Sequence, residues 1–89
     1  MKHATDQALD RLEDLLQEIR KFDNLNEKTR GVFYLRSVAF LHFHEDPLGL
    51  FADLKQGDKF HRYSVNSTSE QKKLLSKIKD VIEELSAPK

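Results

Sequence analysis

Val38-Ala39-Phe40-Leu41-His42-Phe43-His44-Glu45-Asp46-Pro47-Leu48-Gly49-Leu50-Phe51-Ala52-Asp53-Leu54-Lys55 is a β-hairpin written in sequence. Val38 to His44 is rich in β-branched and aromatic residues and reads as a strand. Leu50 to Lys55 reads as its partner. Between them, Asp46-Pro47-Leu48-Gly49 has turn chemistry: Asp first, Pro with its preset φ second, Gly fourth. Outward from this hairpin, Val32 to Arg36 is a strand of the same composition. Gln56-Gly57-Asp58-Lys59 is a second turn, and Phe60 to Val65 is a fourth strand.

Both flanks change period from two to between three and four. From Thr5 to Phe22 the apolar residues are Ala8, Leu9, Leu12, Leu15, Leu16, Ile19 and Phe22, a single stripe on a helix. Thr5 or Asp6 can cap its start. Asp23-Asn24-Leu25-Asn26 ends it and opens a loop to Gly31. The second helix begins after Ser67. Ser67-Thr68-Ser69-Glu70 is a capping box, with Glu70 placed to reach back to the Ser67 amide. Leu74, Leu75, Ile78, Val81, Ile82 and Leu85 follow with helical spacing, and residues 86–89 form a frayed tail. The expected fold class is α+β: one domain over residues 1–89, ordered helix, four-stranded antiparallel sheet, helix, with the helices mainly on one sheet face.

Alternation along strands assigns the faces. If the first turn pairs Glu45 with Leu50, His42 lies opposite Asp53 and Phe43 opposite Ala52. If the second pairs Lys55 with Phe60, Asp53 lies opposite Arg62 and Ala52 opposite Tyr63. One face then holds Leu41, Phe43, Leu50, Ala52, Leu54, Tyr63 and Val65, which is the core face. The other holds His42, His44, Phe51, Asp53, Phe60, Arg62 and Ser64. A two-residue turn at Arg36-Ser37 adds Phe33, Leu35, Val38 and Phe40 to this second face. So much apolar surface on one uncovered face marks an interface, with Phe33, Phe40, Phe51, Phe60 and Arg62 as its residues. Two other arrangements satisfy the same pattern: one helix on each face, or a longer first turn that reverses the first strand.

His42-Phe43-His44-Glu45-Asp46 contains His-x-His-x-Asp. Alternate strand residues project from one face about 6.5–7 Å apart, a separation from which two imidazoles can chelate a metal. His42, His44, Asp46 and Asp53 are the candidate ligands for zinc or another divalent metal. Asp53 is also placed to pair with Arg62, which competes for its oxygens. His61 falls on the opposite face, and His3 lies in a terminus expected to be mobile. The row His42, Asp53, Arg62 has no serine or cysteine nucleophile beside it, so no catalytic residue is assigned.

Composition narrows the class. The chain has 89 residues, 38% apolar and 34% charged, and no cysteine. Disulfides and thiolate metal sites are excluded, and a reducing, cytoplasmic compartment is expected. Fifteen basic residues balance fifteen acidic ones, which argues against nucleic acid and anionic membrane surfaces as partners. No apolar run approaches the roughly 20 residues that span a bilayer. There is no Gly-rich phosphate loop, no GxSxG and no HExxH.

The run Gly31-Val32-Phe33-Tyr34-Leu35-Arg36-Ser37-Val38-Ala39-Phe40-Leu41-His42-Phe43-His44-Glu45-Asp46-Pro47, continued through Gly49-Leu50-Phe51-Ala52-Asp53, resembles a group of small uncharacterised bacterial proteins. They carry a GVFY…AFLHFHEDP…GLFAD-like centre. The resemblance implies a bacterial cytoplasmic protein and transfers no activity. The expectation is a non-enzymatic binding or self-associating domain, a homodimer or the receptor of another protein, working through the second sheet face. The alternative is metal binding, or a metal-dependent activity, at His42 and His44.

Overall fold

The computed structural model describes residues 2–86, with side chains to Leu85. Its elements are β1 (Lys2–His3), α1 (Asp6–Asp10), α2 (Glu13–Arg20), β2 (Leu25–Thr29), β3 (Val32–Leu35), β4 (Val38–Asp46), β5 (Gly49–Gln56), β6 (Lys59–Ser64) and α3 (Thr68–Ser86). The class is α+β with an antiparallel sheet. The sheet has six strands rather than four, in the order β2-β3-β4-β5-β6, and β1 pairs with β4 off that path. Of the expected tail, Ser86 is instead the last residue of α3, and residues 87–89 lie outside the described residues. No helix among the described residues is long and apolar enough to cross a membrane.

Both turns set the register that their residue types predict. Glu45 pairs with Leu50 and Asp46 with Gly49, so His42 faces Asp53 and Phe43 faces Ala52. Lys55 pairs with Phe60, and Asp53 with Arg62. Asp46 Oδ1 accepts the Leu48 amide at 2.7 Å, the local bond that makes Asp effective at a turn's first position. Gly49 has φ +134, and a Cβ there would lie 2.7 Å from Asn66 Oδ1. Asn66 comes this close because its side chain takes the place of a strand partner. Its Oδ1 accepts from Leu50 N at 2.8 Å, and its Nδ2 donates to Leu50 O at 3.1 Å.

The helix expected over Thr5–Phe22 is two helices that bend at Arg11-Leu12. Thr5 caps α1 by accepting the Ala8 amide at 3.3 Å. Leu12, at φ −106 and ψ 9, leaves the helical region between them. The apolar stripe is the same on both sides of the bend, so periodicity alone does not reveal it. Arg30 spans the bend, bonding Asp10 Oδ1 at 2.8 Å and Glu13 Oε1 at 2.9 Å. Arg30 and Arg20 together hold the Glu13 carboxyl down at about 2.

The loop expected over residues 23–31 contains β2, an edge strand pairing Leu25 with Leu35 and Glu27 with Phe33. Leu-Asn-Glu-Lys-Thr has little intrinsic strand character. Its outer position requires one packed residue, Leu25, and one anchor, the Arg20–Glu27 ion pair at 2.6 Å.

The capping box of α3 forms as its residues predict. Glu70 N donates to Ser67 Oγ at 3.2 Å, and Ser67 N to Glu70 Oε1 at 3.2 Å. Leu74, Ile78 and Ile82 enter the core, and Leu85 does not. The core is one cluster: the stripe Ala8, Leu9, Leu12, Leu15, Leu16, Ile19 and the α3 residues meet Leu41, Phe43, Leu50, Ala52, Leu54 and Val65.

The placement of the β3 side chains corrects the face assignment. The Arg36-Ser37 turn is a tight two-residue one, with φ 54 and 67, and Leu35 pairs with Val38. Tyr34 then pairs with Ala39, but Phe33 pairs with Leu41. Phe40 is therefore an extra residue, a β-bulge that breaks the alternation of β4. Phe33, Leu35 and Phe40 turn to the core with Leu41, and Phe33 and Phe40 are 1% and 3% exposed. They are core residues and not part of a free interface.

Candidate metal centre

The second sheet face is assembled by β1, β4, β5 and β6. His42 and His44 lie on it, two residues apart on β4, and β5 brings Asp53 opposite His42. β6 supplies Phe60 and Arg62. β1 lies on the other side of β4, where β3 has ended, and pairs His3 directly with His44. A histidine expected in a mobile terminus is thus held beside the other two. A strand of two residues has no periodicity from which this docking can be read; only the pairing with β4 creates it.

The three imidazoles form a tight group. One ligand nitrogen from each of His3, His42 and His44 lies within 4.8 Å of the others. His42 Nδ1 and His44 Nε2 are 2.9 Å apart. His3 stacks on His44 with ring centroids 5.2 Å apart, and His42 meets His44 edge-on at 4.8 Å. Tetrahedral zinc, with Zn–N bonds of about 2.0–2.1 Å, needs its nitrogens about 3.4 Å apart. The limit of 4.8 Å on the group's separations is compatible with that value.

The other predicted ligands have different employment. Asp46 is taken up by its own turn and lies outside the group. Asp53 accepts two bonds from Arg62, from Nε at 2.8 Å and Nη2 at 3.0 Å. Its Oδ2 also lies 3.0 Å from His44 Nε2. That is the same nitrogen that faces His42 Nδ1, so Asp53 shares the inner side of the His44 ring with His42 and does not support the ring from behind. His61 pairs with Leu54 and is exposed, away from the cluster as the register requires.

Electrostatics favour the ligand-competent form of His42. Burial, reinforced by the neighbouring His44 ring, lowers the His42 pKa, so the neutral imidazole is preferred. The Arg62 guanidinium holds the Asp53 carboxyl below its usual range. His44 Nδ1 is buried and has no hydrogen-bond partner among the described residues, which is costly for a polar atom.

Around the centre the face is mixed. Phe51 is half-buried, and Arg62 is exposed beyond its pairing with Asp53. Phe60 is 42% exposed, with its ring 4.9 Å from that of His42. Comparison of the chain with protein-family models, with curated proteins and with solved structures finds no match to any of them.

Proposed function

We propose that the domain binds a divalent transition metal, zinc being the reference ion, through His3, His42 and His44. The observation that supports this reading is the convergence of three imidazole nitrogens within 4.8 Å. An all-imidazole set suits zinc and its first-row neighbours. Three protein ligands leave a fourth position for water or another ligand. Asp53, held by Arg62, lies against the group at His44 Nε2.

Titration of metal-free protein with zinc tests this. Wild type is expected to take up one equivalent. Removing even an outer partner of a ligand costs about 10–100-fold in affinity, so the His42→Ala/His44→Ala double variant is expected to lose more than that. Equal uptake by the two proteins, or no uptake by wild type below millimolar zinc, rules the site out.

A second reading is homodimerisation through the same face, supported by Phe60, which is 42% exposed and large. Without Phe33 and Phe40 this face carries less apolar area than the sequence implies. Sedimentation at micromolar concentration decides. The expected result is a wild-type dimer that Phe51→Glu shifts toward monomer; a monomeric wild type removes the reading.

A further inference from the structure

The third imidazole comes from the most lightly held strand. β1 is two residues long, both exposed, and its pairing consists of Lys2 with Glu45 and His3 with His44. Two bonds extend the attachment: Ala4 N to Phe43 O at 3.1 Å and Thr5 N to Glu45 Oε1 at 2.6 Å. Past Thr5 the chain is secured, because α1 buries Ala8 and Leu9 in the core. His42 and His44 belong to a different regime. Their strand pairs with β5 from Leu41 to Asp46 and buries Leu41 and Phe43. Two ligands are thus fixed by the sheet, and the third arrives only when β1 docks.

That asymmetry has a thermodynamic consequence. A ligand that binds the docked form more tightly than the undocked one must favour docking by the same factor. We infer that metal binding at this centre locks β1 onto the outer edge of β4, and that loss of the metal releases it. The inference rests on the metal-binding reading and adds to it the regulated element. β3 pairs with β4 only from Val38 to Leu41. Release of β1 therefore uncovers the backbone edge of β4 around Phe43 to Glu45. Metal occupancy controls whether that edge is capped or open.

The test is amide hydrogen exchange on the full chain, in chelator and across a zinc titration, with wild type and His3→Ala. His3 is exposed, so its replacement leaves the core intact. In wild type, zinc is expected to slow exchange at the Ala4 amide to a plateau of about 5–150-fold, the usual span of coupled binding. Because opening removes one ligand, that plateau should match the ratio of the wild-type and His3→Ala zinc affinities. The Val65 amide, bonded to Leu50 O at 3.1 Å, should not respond. His3→Ala should still take up zinc, more weakly, with no slowing at Ala4. Equal zinc affinity in the two proteins with Ala4 exchange unchanged overturns the inference and leaves a site at His42 and His44 alone. Absence of zinc uptake by wild type overturns the metal-binding reading itself, and this inference with it.

Discussion

Phe33→Ala is expected to destabilise the domain by about 3–5 kcal/mol, the cost of truncating a fully buried aromatic residue. Phe33 is 1% exposed and sits opposite Leu41, inside the cluster that α1, α2 and α3 close over. An 89-residue domain has in total on the order of 4–13 kcal/mol. The variant therefore loses a large share of its stability. At about 4–8 °C per kcal/mol, its Tm falls by more than about 12 °C, or it does not fold. Phe60→Ala is the informative partner. Phe60 is 42% exposed on the opposite face, and its truncation is expected to cost less than about 1 kcal/mol. Urea unfolding of both variants checks the pair. Similar small losses would put Phe33 on the bare face, as simple alternation along β4 implies, and would remove the bulge at Phe40 from the fold.

Ile78→Ala is expected to cost about 2–5 kcal/mol. Ile78 is 0% exposed and lies between Leu74 and Ile82 on the face of α3 that enters the core. Truncation leaves a cavity that α3 cannot close without pulling its neighbours from the sheet. Leu85 has the same helical spacing but is 51% exposed. Leu85→Ala is expected to stay within about 0.5 kcal/mol of wild type. Thermal unfolding followed by circular dichroism separates the two. An unchanged midpoint for Ile78→Ala would mean that α3 does not cover the sheet in solution.

The legible parts of this fold are those in which cause and effect lie within a few residues. Asp46-Pro47-Leu48-Gly49 closes on itself through the bond from Leu48 N to Asp46 Oδ1. That turn carries the whole pairing of His42 with Asp53 and of Phe43 with Ala52. Ser67 and Glu70 satisfy each other's amides at the start of α3 whatever packs against it. For the candidate centre, His42 and His44 were legible because strand alternation puts them on one face. Asp53 was legible as their neighbour through the first turn's register, and Arg62 as its partner through the second.

Tertiary structure decided the rest, since each remaining feature is chosen by a partner distant in the chain. The bulge at Phe40 exists because Phe33 and Phe40 both gain more by burial under the helices than strict alternation allows; hydrophobic burial outweighs one lost ladder position. The bend at Leu12 is invisible to a stripe that both helices share. β2 is a strand because the edge of β3 and the Arg20 guanidinium receive it, not because its residues favour one. His3 joins His42 and His44 because β4 runs beyond the end of β3 and offers an open edge, which two residues of β1 fill. Local chemistry in the sequence thus determined turns, caps, face parity within the central hairpins and two of the three imidazoles. Long-range burial and backbone pairing, which carry no local signature, decided where the parity breaks and supplied the third.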